Sequence, residues 1–105
     1  MALQFTDENF EQEVLKSSQL TIVDFYADWC GPCKMVAPVI EQLADEYKDT
    51  VKIGKLNVDN APGIAAKYKV MTIPTIMFFK DGEPVHKIVG VERKEVFEEK
   101  IAELK

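Results

Sequence analysis

The segment Leu20–Ala27, Leu-Thr-Ile-Val-Asp-Phe-Tyr-Ala, constrains the fold more than any other part of the chain. Apolar residues stand on both of its alternating faces, and a strand of that kind must be covered on both sides, as in an α/β sheet. From about Pro32 to Tyr47, the apolar residues Val36, Val39, Ile40, Leu43, Ala44 and Tyr47 then recur at helical spacing. Pro38 lies inside that stretch. It removes one backbone donor and crowds the preceding turn, so one kinked helix is expected and not two.

The other elements follow the same logic. Residues 2–5 fit a short strand, and Thr6 is placed to cap a helix running to about Lys16, with Phe10, Val14 and Leu15 on one face. Val51–Val58 reads as a strand and Asn60–Tyr68 as a short helix interrupted by Pro and Gly. Thr75–Lys80, Asp81-Gly82 and Pro84–Val89 form a hairpin, because Asp-Gly supplies the positive φ values of a tight turn. A last helix covers Arg93–Leu104, with Val96, Phe97, Ile101 and Leu104 as its buried stripe. The order β-α-β-α-β-α-β-β-α predicts an α/β fold built from parallel βαβ units plus an antiparallel edge. The expectation is a single domain over residues 1–105, with a mixed central sheet of about five strands and about four helices on its two faces.

Composition narrows the functional classes. A chain of 105 residues buries roughly 65% of its extended surface, enough for a core that needs no disulfide scaffold. Its two cysteines therefore need another explanation. With 13 Lys plus Arg against 18 Asp plus Glu, the net charge is −5 and no basic run exists, which argues against nucleic acid as a partner. The first residues show no basic n-region or apolar h-region, and the apolar stretches are too short to span a membrane, so a cytoplasmic protein is expected. Neither a bound cofactor nor a metal is implied, and nothing points beyond a monomer.

Cys30-Gly31-Pro32-Cys33 falls where the buried strand ends and the long helix begins. A thiol there faces unpaired backbone N–H groups and the positive end of the helix dipole, which stabilise a thiolate, the nucleophile of disulfide exchange. The second thiol, one turn further in, can close a ring with the first. Cys30 is thus assigned as the attacking thiol and Cys33 as the resolving one. Three alternatives are weaker. A purely structural disulfide across so short a loop would restrict the unfolded chain little. A zinc site needs about four ligands, and only His86, on the distant hairpin, joins the two cysteines. The third is two inert thiols placed by chance.

Asp24 is the second signal, a carboxylate in the middle of an apolar strand on the face of Ile22 and Tyr26. Burial there should raise its pKa and make it a proton acceptor for Cys33; the alternative is a face that is simply wet at that point. Lys55, on the strand expected beside it, is a possible charge partner, although a half-exposed lysine is more often solvated. In Thr72-Ile73-Pro74-Thr75, Pro74 should stand at the first residue of a strand, since it cannot donate to a ladder.

From Val23-Asp24-Phe25-Tyr26-Ala27-Asp28-Trp29-Cys30-Gly31-Pro32-Cys33-Lys34-Met35 through Ala37-Pro38, Lys55-Leu56-Asn57-Val58-Asp59, Ile73-Pro74-Thr75, Phe79-Lys80-Asp81-Gly82-Glu83 and Val89-Gly90, the chain resembles the thioredoxin family over nearly its whole length. The resemblance implies the thioredoxin fold and a disulfide reductase that cycles between dithiol and disulfide. It implies Cys30 as the exposed nucleophile, Cys33 as the resolving thiol, Asp24 as the buried acid/base group with Lys55 as its neighbour, and Pro74 as a cis-proline facing the disulfide. Trp29, Gly31, Pro32, Ile73, Pro74, Gly90 and Val91 would form the rim on which protein substrates dock. Disulfide-containing proteins are then the expected substrates, with a thioredoxin reductase as electron donor. The rival readings are a thiol oxidase or disulfide isomerase on the same fold and a redox-independent binding subunit. Three departures stand out: Tyr26 where many members carry tryptophan, Thr72 where some carry glycine, and Arg93 where a serine often caps the last helix.

Overall fold

Six of the seven residues of strand β2, Leu20–Tyr26, are buried, and the sheet is built outward from this strand. In the computed structural model, which describes residues 1–105, β2 lies at the centre of five strands. The others are β1 (Leu3–Phe5), β3 (Val51–Asn57), β4 (Thr75–Lys80) and β5 (Glu83–Val89), in the order β1-β3-β2-β4-β5. β1 and β2 both run parallel to β3, while β4 is antiparallel to β2 and β5 to β4. Three α-helices, α1 (Gly31–Glu46), α2 (Pro62–Lys67) and α3 (Lys94–Leu104), and one π-helical turn (Glu11–Leu15) complete the chain.

Alternation along the strands divides the core between the two faces of the sheet. Leu20, Ile22, Ile76 and Phe78 join Val36, Ile40 and Leu43 of α1 and Phe97 and Ile101 of α3 in one cluster. Val23, Phe25, Met77 and Phe79 point the other way and pack with Phe5, Phe10, Val14 and Leu56. There Phe10 meets Phe79 edge-on at 5.6 Å between ring centres. At Gly54 of β3 the Phe5 ring comes so close that a Cβ would lie 2.4 Å from it, so only glycine fits. The hairpin turns at Asp81 and Gly82, with φ of 53° and 83°, as the Asp-Gly pair requires.

Pro38 sits within a single continuous α1, as expected. Two expectations need correction. The segment after Thr6 is not a regular α-helix. Thr6 and Asn9 cap each other reciprocally, Thr6 Oγ1 accepting from the Asn9 N–H at 3.1 Å and Asn9 Oδ1 from the Thr6 N–H at 2.7 Å, but a π-helical turn follows. Nor does the third βαβ unit exist, because β4 runs antiparallel to β2, and so to β3. Its six-residue helix α2 rises only about 9 Å, too short to carry the chain back along a strand of about 20 Å. The connection therefore stays at one end of the sheet, and β4 begins with Thr75 beside Phe25, next to where β2 ends.

Candidate active site

The chain leaves β2 at Tyr26, passes through Ala27 to Trp29 and enters α1 with Cys30 as its N-cap, in extended geometry (φ −88°, ψ 112°). Pro32 fits the first turn because its missing N–H would have no helical partner there. Cys30 Sγ accepts the backbone N–H of Cys33 at 3.2 Å, so the donor and dipole that stabilise a thiolate converge on this sulfur. Cys30 and Cys33 are joined in a disulfide, with their Cα atoms 5.3 Å apart.

Cys30 is not exposed, contrary to expectation. It is 4% accessible and Cys33 3%, because Ala27, Tyr26, Val58 and Ile73 pack around the disulfide. What separates the two sulfurs is their surroundings. Cys33 lines a cavity of about 140 Å³ together with Asp24 and Lys55. Cys30 Sγ instead lies 3.8 Å from the carbonyl oxygen of Ile73.

Asp24 is 1% accessible, so the wet-face alternative is excluded. Desolvation by burial pushes its carboxyl up from 3.8 to about 7, and Glu41 adds to the rise, while the Lys55 charge opposes it. Its Oδ1 is buried and no protein group donates to it. Lys55 stands opposite Asp24 in the β2–β3 register. Its ammonium nevertheless pairs with Glu41 Oε2 at 3.5 Å and lies 5.3 Å from the centre of the Tyr26 ring. Glu41 escaped the sequence reading. The available signal was its position two turns after Cys33 and one after Ala37, a carboxylate on the helix face that carries the site.

The second lip comes from the turn before β4. The Ile73–Pro74 peptide bond is cis, Pro74 is buried, and Ile73 packs on the disulfide. The Gly90 N–H donates to the Pro74 carbonyl at 2.9 Å, which draws Gly90 and Val91 to the same lip. Trp29 is 71% accessible, and its Nε1–H donates to Asp59 Oδ2 at 2.8 Å. Gly31, Pro32 and Val91 are also exposed. His86, needed by the zinc alternative, meets Phe78 edge-on at 5.6 Å between ring centres and forms no ligand group with the cysteines.

A family model described as Thioredoxin matches residues 1–103. The chain belongs to the thioredoxin family. It is 56% identical over 90 residues to a thioredoxin of Staphylococcus aureus, 86% of this chain and 85% of that protein. It is 54% identical to a thioredoxin of Staphylococcus saprophyticus over the same shares, and 51% identical to thioredoxin 1 of Synechococcus elongatus over 86% of this chain and 84% of its relative. Membership of the thioredoxin family makes the chain a disulfide oxidoreductase with a redox-active C-x-x-C disulfide at Cys30 and Cys33. No helix is long and apolar enough to cross a membrane.

Proposed function

We propose that the chain is a cytoplasmic protein-disulfide reductase that acts as a single-domain monomer. The observation that carries this reading is the buried Asp24 carboxyl in the same cavity as Cys33, directly behind a disulfide seated on a helix N-terminus. In the reduced protein the Cys30 thiolate, favoured by the Cys33 N–H, attacks one sulfur of a substrate disulfide. A mixed disulfide forms and the substrate's other sulfur leaves as a thiolate, which takes up a proton. Asp24 accepts the Cys33 proton, the Cys33 thiolate attacks Cys30 Sγ as the bond from Cys30 to the substrate breaks, and the second substrate sulfur leaves as a thiolate that takes up a proton, Asp24 giving up the one it held. The substrate gains two electrons and two protons, and the chain is left with its Cys30–Cys33 disulfide. A thioredoxin reductase would restore the dithiol.

Ile73 lies against Cys30 and precedes Pro74, and an extended substrate segment would pair strand-fashion with the Ile73 backbone. Trp29, Gly31, Pro32, Gly90 and Val91 supply the surrounding contact surface. Lys55 modulates the charge of Asp24 and does not pair with it.

Catalysed reduction of a protein disulfide by dithiothreitol tests the reading. Cys30→Ser should abolish it, and full turnover by that variant would refute the mechanism. Equilibration of the couple against thiol buffers should give a potential near about −270 mV, the value established for thioredoxin, whereas about −120 to −180 mV would indicate an oxidase or isomerase.

A further inference from the structure

The groups around Asp24 leave one charge arrangement without a role. Lys55 is the cation that acts on the buried carboxyl and stands opposite it in the strand pair, yet no ion pair joins them and Asp24 Oδ1 has no partner. The Lys55 ammonium is engaged from the other side by Glu41 Oε2 and lies beside the Tyr26 ring. The other carboxylate oxygen of Glu41, Oε1, accepts the backbone N–H of Ala2 at 2.8 Å, which fixes the side chain between α1 and the start of the chain. Glu41 is therefore held at both oxygens, and Lys55 is held by Glu41.

We propose that Glu41 is a positioning residue, which by pairing with Lys55 keeps that ammonium off Asp24 and so fixes how much positive charge reaches the acid/base group behind the disulfide. This rests on the reductase reading for its use in turnover, though not for the charge coupling itself. The charged groups facing Asp24 are few. β3 contributes Lys55, α1 contributes Lys34 and Glu41, the loop after β2 contributes Asp28, and β4 places only Ile76 opposite. Of these, Lys55 and Glu41 act on the Asp24 carboxyl, in opposite directions. With Glu41 neutral, the ammonium loses the anion it pairs with, and the carboxyl opposite it in the strand register is Asp24.

The proposal is tested on the oxidised full-length protein by following the Asp24 carboxyl carbon through an NMR pH titration, which needs no turnover. Glu41→Gln keeps an oxygen for the Ala2 N–H and removes the charge. It should lower the Asp24 midpoint by about one pH unit, and the pH at which resolution of a mixed disulfide half-saturates should move with it. In a Lys55→Gln background the same Glu41→Gln change should still lower the midpoint, but by about half as much or less, because the route through Lys55 is gone and only the direct charge of Glu41 is left. An unchanged midpoint in Glu41→Gln overturns the proposal. So does an equal shift in both backgrounds, which would make Glu41 a direct and independent charge. A chain that shows the coupled shift but reduces no protein disulfide would overturn the reductase reading and leave the coupling standing.

Discussion

Replacing Asp24 by asparagine should change how stability depends on pH more than any other single substitution in this protein. The side chain is 1% accessible, and its carboxyl is raised from 3.8 to about 7 by desolvation. Between those values the folded chain keeps a proton that the unfolded chain has lost. Stability from this group is therefore greatest below about pH 4, falls as the pH rises towards 7, and is flat above that. About three pH units at about 1.36 kcal/mol each give a total loss on the order of 4 kcal/mol. Asp24→Asn has nothing to titrate in that window, and the slopes of all other groups cancel when the two proteins are compared. Guanidinium unfolding of both oxidised proteins should show the variant gaining roughly 3 kcal/mol on the wild type between pH 5 and pH 8.5. A stability difference that stays constant across that range would refute the argument that burial raises the pKa of this carboxyl.

Two further outcomes follow from the site and from the sheet. Cys33→Ser should accumulate a mixed disulfide between Cys30 and a protein substrate, visible as a mass adduct that reductant releases, since no second thiol remains to resolve it. Gly54→Ala should destabilise the protein by roughly 3 kcal/mol in urea unfolding, because the added Cβ would meet the Phe5 ring at 2.4 Å and the Leu3 carbonyl at 2.9 Å.

Much of this was legible because local and tertiary demands agree. The two-sided apolar pattern of β2, the 3.6-residue repeat of α1 and the Asp-Gly turn each have one physical solution, and each element forms within a residue or two of its expected limits. Placing the Cys30–Cys33 pair at the N-terminus of α1 needed only the join of strand and helix. The direction of β4 depended on the length of α2, which Pro62 and Gly63 obscured in the sequence. The raised pKa of Asp24 followed from its position in an apolar strand, but the partner of Lys55 did not. Glu41 reaches Lys55 from a different element, and such a pairing is fixed by how α1 lies across β3 and not by any local periodicity. The low accessibility of Cys30 likewise depends on Ile73, 43 residues away.

The place of β4 in the sheet also bears on how the chain reaches this state. β2 is flanked by β3 on one side and by β4 on the other, so until the chain beyond residue 74 has docked, β2 is an open edge with six buried-type residues and a row of unpaired amides. The dithiol motif can close as soon as the first turn of α1 forms, whereas the Ile73–Pro74 lip arrives only with β4. A nascent or partly unfolded chain thus holds reactive thiols beside a sticky strand edge before Ile73 and Pro74 have packed over them. Aggregation of this protein, with disulfides formed between chains, should therefore originate at the open edge of β2.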